Sequence, residues 1–162
     1  MSNYTQEKWY QGLSKNLQPL ADNSLQLLAR EKNNPESLGD YQFIVFPLAK
    51  AFEAFLKDWL YQQQLITDRT YNSKKFSIGR SHNPDVRIEQ RDEYWYYDDF
   101  LQLCGEHTAR FVWDTWLERN HLFHLYPGEE YNLTLPEAEN KINQIIKAID
   151  LCLYCQKESS ST

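Results

Sequence analysis

The longest run of apolar positions in the chain lies between Phe43 and Leu60, where polar residues are few. A run of this length predicts a helix that is buried on most of its sides. Asp40 is a good N-cap residue, so we predict a helix from about Asp40 to about Leu65. Pro47 lies inside this span, removes one backbone hydrogen bond and predicts a kink.

Three charged residues interrupt the apolar run: Lys50, Glu53 and Lys57. Their spacings of three and four place them on one face of the predicted helix. Burying an ionised carboxylate is costly unless a cation pairs with it. Glu53 therefore either pairs with Lys50 or Lys57 on a solvated stripe, or faces Arg119 or His124 on another helix.

The last third of the chain predicts a second well-defined helix. Thr134 is a good N-cap, Pro136 fits the first turn, and Glu137 follows the cap by three residues, as a capping box requires. Apolar residues then recur at spacings of three and four, which is typical of a core or a helix–helix interface. These residues are Leu135, Ala138, Ile142, Ile145, Ile149 and Cys152.

Two further segments have approximate helical spacing. Residues 4–33 predict one or two helices, broken or kinked near Pro19, and a helix is predicted from about Asp98 to about Asn120 with an interruption at Gly105. The chain has only five glycines and long stretches rich in Leu, Ala, Gln and Glu. This composition favours helix over sheet, so the predicted fold class is all-α.

Between residues 67 and 95 the helical spacing disappears, and this segment is interpreted as an irregular loop insertion. Within it, Lys75–Ile78 and Val86–Ile88 predict short strands. Residues 67–91 carry six Lys or Arg against three acids, although the whole chain has a net charge of −6. The segment is therefore either a solvated loop or a contact for RNA phosphates. The candidate RNA-binding residues are Lys74, Lys75 and Arg80.

The chain of 162 residues has no internal repeat and no linker, so it predicts a single domain. Residues 1–38 form an N-terminal helical extension, residues 40–155 a core bundle, and residues 157–162 a frayed polar tail. The negative charge argues against a protein that coats nucleic acid, and no DNA partner is expected. Without a signal peptide or a membrane-spanning segment, the expected location is the cytoplasm, with no membrane partner.

Three cysteines, an odd number in a chain with no export signal, predict reduced thiols. Cys152 and Cys155 form a C-x-x-C, but no second pair completes a zinc site. The pair also lies within a helical pattern rather than after a strand. We therefore expect no metal and no cofactor.

Candidate chemistry is concentrated between Arg119 and Tyr126, at the foot of an aromatic-rich helix. An arginine is a fixed cation for charge developing on a phosphate, and a histidine exchanges protons near neutral pH. Arg119 and His124 diverge by about 140° on an unbroken helix. They meet only if the helix bends there or if two subunits contribute. Asn120 would share a face with His124, and His121 is expected at the surface.

The pattern Arg119-Asn120-x-x-x-His124-x-Tyr126 resembles the signature of the HEPN superfamily, antiparallel helical bundles of which many are RNases. The run Phe46–Lys57 resembles the first HEPN helix of the RNase LS toxins (RnlA/LsoA). In those proteins a basic residue and a glutamate three apart accompany the active-site Arg and His. The resemblance covers roughly residues 40–155. It implies the catalytic residues Lys50, Glu53, Arg119, Asn120 and His124.

The resemblance further implies a metal-independent endoribonuclease, in which the 2′-hydroxyl of the RNA attacks the adjacent phosphate. His124 would act as acid or base, Arg119 would hold the phosphate, and Asn120 would cap the helix end or bind the phosphate. Glu53 would orient Arg119 or His124. Because one histidine cannot readily serve both ends of the displacement, a homodimer that joins two copies of this site is implied.

Such an RNase is implied to be the toxin of a toxin–antitoxin system. Its cognate antitoxin would be a binding protein, or a nucleotidyltransferase that adds AMP to Tyr126 as in the HepT toxins. Tyr126 otherwise packs before the Pro127-Gly128 turn. The alternative is a non-catalytic HEPN-like dimeric binding or scaffold module. The nuclease hypothesis requires that solvent reach both Arg119 and His124.

Overall fold

A computed structural model describes residues 4–33, 38–124 and 132–155 of the chain. All regular elements in these ranges are helical, as the fold class predicted, and short 3₁₀ turns lie at Tyr4–Gln6 and Ile88–Gln90. The α-helices are α1 (Lys8–Gln11), α2 (Gln18–Asn33), α3 (Gln42–Gln62), α4 (Asp68–Tyr71), α5 (Ile78–Ser81), α6 (Tyr97–Phe123) and α7 (Leu135–Tyr154).

Helix α3 is the centre of the bundle and packs against α2, α6 and α7. The predicted apolar run is confirmed as core, since ten residues of α3 are buried. Its N-terminus is tied to the segment before α7, because Asp40 Oδ1 accepts the N–H groups of Gln42 and Leu133 at 3.1 and 3.0 Å. The next N–H after Pro47, that of Leu48, donates to the buried Ser24 Oγ of α2 at 2.9 Å.

The signals that predicted α7 and the break in α6 are confirmed. Thr134 and Glu137 form the complete capping box, and the apolar stripe of α7 from Ala138 to Cys152 is buried. Gly105 interrupts α6 with a φ of 78° and a ψ of 163°, a backbone conformation that favours glycine. The two halves of α6 therefore point in different directions from Gly105.

The break predicted near Pro19 is confirmed, since residues 12–17 separate α1 from α2. Pro19 itself does not kink a helix but occupies the first turn of α2, where the N–H group that it lacks would have no partner within the helix. One other local prediction is wrong. The expected strands at Lys75–Ile78 and Val86–Ile88 are absent from the described residues, which have short helical turns at α4, α5 and Ile88–Gln90. No neighbouring strand is present to satisfy an extended backbone there, so local helical bonds do so.

The prediction of reduced thiols is wrong for two of the three cysteines. Cys104, beside the break at Gly105, forms a disulfide with Cys155 at the end of α7, and the two Cα atoms are 5.1 Å apart. Cys152 is a buried free thiol, and burial raises the pKa of that thiol. None of the helices within the described ranges is long and apolar enough to cross a membrane.

His82 anchors α5 to α6. The ring is fully buried among Tyr96, Tyr97, Phe100 and Trp113. Its Nε2 donates to the carbonyl of Ala109 at 3.3 Å, whereas Nδ1 has no partner among the described residues. A second proton on the ring would therefore be buried without an acceptor. This desolvation lowers the pKa of His82 from 6.5 to about 4, against the opposing effect of the Ala109 bond.

Acidification is therefore expected to destabilise the fold through His82. Above pH 6.5 the ring is neutral in both the folded and the unfolded chain. Between pH 6.5 and about 4 only the unfolded chain binds the proton, so the stabilisation is lost as the pH falls through this window. The loss in the free energy of unfolding is roughly 3 kcal/mol in total. Urea unfolding at a series of pH values measures it.

His82→Gln separates this effect from the titration of carboxylates. The glutamine amide still offers an N–H group to Ala109 but does not titrate, so the variant should lose less stability on acidification than the wild type. His107→Gln replaces an exposed histidine and should keep the wild-type pH dependence. Identical pH dependence in His82→Gln and the wild type would contradict the assignment.

Candidate active site

The end of α6 brings the arginine and the histidine of the motif together. The helix runs to Phe123, and His124 leaves it with a φ of −130° and a ψ of 123°. Arg119, Asn120 and His124 consequently line one cleft, together with Glu53 of α3, in a volume of about 380 Å³. The expected divergence of the two side chains does not keep them apart, because the helix ends between them.

Glu53 of α3 forms an ion pair with Arg119 Nη2 across the two helices. This resolves the choice that the sequence left open. Within the described ranges, neither Lys50 nor Lys57 forms an ion pair with this carboxylate. The arginine side chain is 11% exposed and the glutamate side chain 46% exposed, so the cation is deep in the cleft and the carboxylate approaches it from the solvent side.

Aromatic rings flank the Arg119 guanidinium. Its central carbon lies 4.6 Å from the Trp116 ring centroid and 4.2 Å from the Phe123 ring centroid. The Phe123 ring in turn packs on the Phe46 ring, with 5.0 Å between the two centroids. Desolvation lowers the pKa of Arg119 and the Glu53 carboxylate opposes that shift. An arginine so placed remains a cation at any ordinary pH, and the rings stabilise it by cation–π contact. Its buried Nε has no hydrogen-bond partner among the described residues.

The other residues that the sequence singled out around this site occupy different places. Asn120 is half-buried in the cleft wall, and His121 is half-buried beside it on α6. Lys50 is exposed and is not among the described residues that line the cleft, although it is one turn from Glu53. Tyr126 lies outside the described residues.

The predicted RNA-binding residues lie on the surface of the insertion. Lys74 and Lys75 are exposed, and Arg80 of α5 pairs with Asp92 at 3.0 Å. They do not line the cleft, but the segment that carries them enters it two residues after Lys75, at Ser77. The basic segment therefore leads to one wall of the cleft.

That wall contains residues that the sequence did not identify. Ser77 and Gly79 of the α5 segment line the cleft opposite Trp113, Trp116 and Leu117 of α6. Trp116 lies three residues before Arg119, and this spacing predicts contact between two side chains on a helix. The spacing could therefore have identified Trp116 as a residue of the site. The α5 residues carry no such signal, because they reach the cleft only through tertiary packing.

The cleft offers a deep cation paired with a carboxylate, an exposed imidazole and an amide around an open space. This arrangement suits an anionic ligand and proton transfer to or from it. Within the ranges that the structure describes, no group of three or more His, Cys, Asp or Glu side chains is placed to hold a metal ion. The described residues thus form an all-helical protein whose cleft combines an arginine–glutamate ion pair with an exposed imidazole. Comparison with protein-family models, with curated proteins and with solved structures found no match to it.

Proposed function

We propose that the protein is a metal-independent endoribonuclease of the HEPN type. The observation that carries the proposal is the single cleft in which Arg119, paired with Glu53, lies together with Asn120 and His124. These residues come from two segments, α3 and the end of α6, that resemble the HEPN signature independently of each other. Solvent reaches both the guanidinium and the imidazole, as the hypothesis requires.

The proposed reaction is an in-line displacement at phosphorus. The 2′-oxygen of one nucleotide forms a bond to the adjacent phosphorus while the bond to the 5′-oxygen of the next nucleotide breaks. A base removes the 2′-hydroxyl proton, and an acid supplies a proton to the leaving 5′-oxygen. The products are a 2′,3′-cyclic phosphate and a 5′-hydroxyl. Arg119 donates to the phosphate oxygens as negative charge develops, and His124 performs one of the proton transfers.

A homodimer would supply the second proton-transfer group. In this arrangement His124 of each subunit faces the same phosphate from opposite sides. Lys74 and Lys75 would contact flanking RNA phosphates, since their segment leads to the cleft wall. The resemblance then makes the protein a toxin whose antitoxin either binds it or modifies Tyr126.

A non-catalytic binding or scaffold module is the second candidate, and one observation favours it. Arg119 is already held by Glu53 and two aromatic rings, an arrangement that would also serve a structural arginine. In that case the cleft would bind an anionic partner without transforming it.

An RNA-cleavage assay in excess EDTA distinguishes these functions. The wild-type protein is expected to cleave a single-stranded RNA and leave 2′,3′-cyclic phosphate ends, and His124→Ala is expected to abolish that activity. His107→Ala removes an exposed histidine elsewhere on α6 and should cleave at the wild-type rate. Equal cleavage by the His124 variant would refute the proposed site. Failure of the folded wild type to cleave RNA that it binds would favour the scaffold.

A further inference from the structure

Helix α5 packs closely against the Trp116 indole at Gly79. A methyl group added at Gly79 would lie 2.7 Å from Trp116 Nε1, closer than carbon atoms at that position are found in proteins. Trp116 is only 4% exposed, so packed atoms surround most of the ring and a methyl group at Gly79 would have to displace it. The absence of a side chain at Gly79 therefore fixes how close the indole lies to α5.

The same indole also contacts Arg119 in the candidate active site. Trp116 lies one turn before Arg119 on α6 and Phe123 one turn after it, and both rings contact the guanidinium. With both ring centroids within 4.6 Å of its central carbon, the guanidinium is restricted in the directions in which its N–H groups can meet an anion. Those directions depend on where the Trp116 ring lies.

We propose that Trp116, held by Gly79, is a positioning residue for Arg119. The irregular insertion thereby has a definite role in the site. The backbone of α5 fixes the position of the indole, and the indole fixes the position of the guanidinium. Glu53 holds one end of the cation, and Trp116 determines the plane in which the cation meets its ligand. The consequence for RNA cleavage rests on the proposed function, but the positioning itself does not.

The positioning is tested first without reference to catalysis. The Nε–H signal of Arg119 in a nitrogen–proton correlation spectrum is assigned by its loss in Arg119→Lys. Ring currents from Trp116 and Phe123 should shift this proton upfield. Trp116→Leu should move it downfield, Trp116→Phe should largely retain the shift, and Gly79→Ala should change it. Gly39→Ala, whose added methyl group meets no atom within 4 Å, should leave it unchanged. An unchanged signal in Trp116→Leu would overturn the proposal.

Kinetics then test whether Gly79 acts through Trp116. Gly79→Ala and Trp116→Leu should each lower kcat by about 10- to 100-fold with a smaller change in KM, because a misplaced cation stabilises the transition state less. The double variant should be no slower than Trp116→Leu alone, since both changes affect one contact. A double variant whose kcat falls by the product of the two single losses would overturn the proposal. If Gly79→Ala does not fold, the comparison of Trp116→Phe, expected near wild type, with Trp116→Leu decides the question. A wild type without activity but with the expected spectra would refute the proposed function and leave the positioning intact.

Discussion

If the protein is the proposed endoribonuclease, Arg119→Lys is expected to lower the rate of RNA cleavage by about 10²- to 10³-fold, although it retains the positive charge. An ammonium group is a compact charge without a planar fork, so it cannot donate two parallel N–H groups to a phosphate. It also lacks the flat, delocalised surface with which the guanidinium contacts the Trp116 and Phe123 rings. The loss should appear mainly in kcat, because in the proposed reaction the arginine would bind the charge that develops in the transition state.

Arg110 provides the matched control for this prediction. It is an exposed arginine on the same helix and does not line the cleft, so Arg110→Lys should cleave RNA at the wild-type rate. Single-turnover cleavage by the two variants and the wild type, after circular dichroism has shown equal helix content, gives the comparison. A rate for Arg119→Lys within a few-fold of the wild type would show that charge alone suffices. The bidentate role of the guanidinium would then be wrong.

The parts of the fold that the sequence predicted are those that local interactions determine. The capping box of α7 involves only Thr134 and Glu137, and the break in α6 depends on the positive φ of Gly105. The run in α3 is so apolar that any helix containing it must be buried. Each of these features depends on a few neighbouring residues, so the printed sequence contains the necessary information.

The sequence predicted several of the residues that line the candidate site but not how they are arranged. The motif identified Arg119 and His124, and the isolated carboxylate in an apolar helix marked Glu53. Whether Glu53 pairs with a lysine on its own helix or with Arg119 depends on how α3 and α6 pack, which the spacing within one helix does not specify. The contribution of Gly79 depends on the same tertiary packing and gave no local signal.

The disulfide was missed for a related reason. Its cysteines are separated by 51 positions, and one of them belongs to a C-x-x-C motif that drew attention to the wrong pair. Cys152 is buried on the core-facing side of α7, whereas Cys155 is partly exposed at the end of that helix. Cys104 precedes the break at Gly105, and tertiary packing brings it to that end.

Opening the Cys104–Cys155 disulfide is expected to lower the free energy of unfolding by about 2–4 kcal/mol. The bridge closes a long loop and restricts the unfolded chain, so its loss favours unfolding. The folded bundle should survive, because α1 also holds the end of α7. Lys8 Nζ donates to the Leu153 carbonyl at 3.2 Å and lies 3.8 Å from the Tyr154 ring centroid. Urea unfolding with and without a thiol reductant measures the change.

The double variant Cys104→Ser/Cys155→Ser shows whether the reductant acts through this bridge. It should be less stable than the oxidised wild type by a similar amount, and the reductant should not change its stability further, since its remaining cysteine is the buried Cys152 thiol. Arg119 is fourteen residues after the break at Gly105, about 20 Å along the second half of α6, so the cleft should keep its geometry. The Arg119 Nε–H signal should therefore stay in place when the bridge is opened. Equal destabilisation of the wild type and the double variant by the reductant would show that the bridge is not what stabilises the protein.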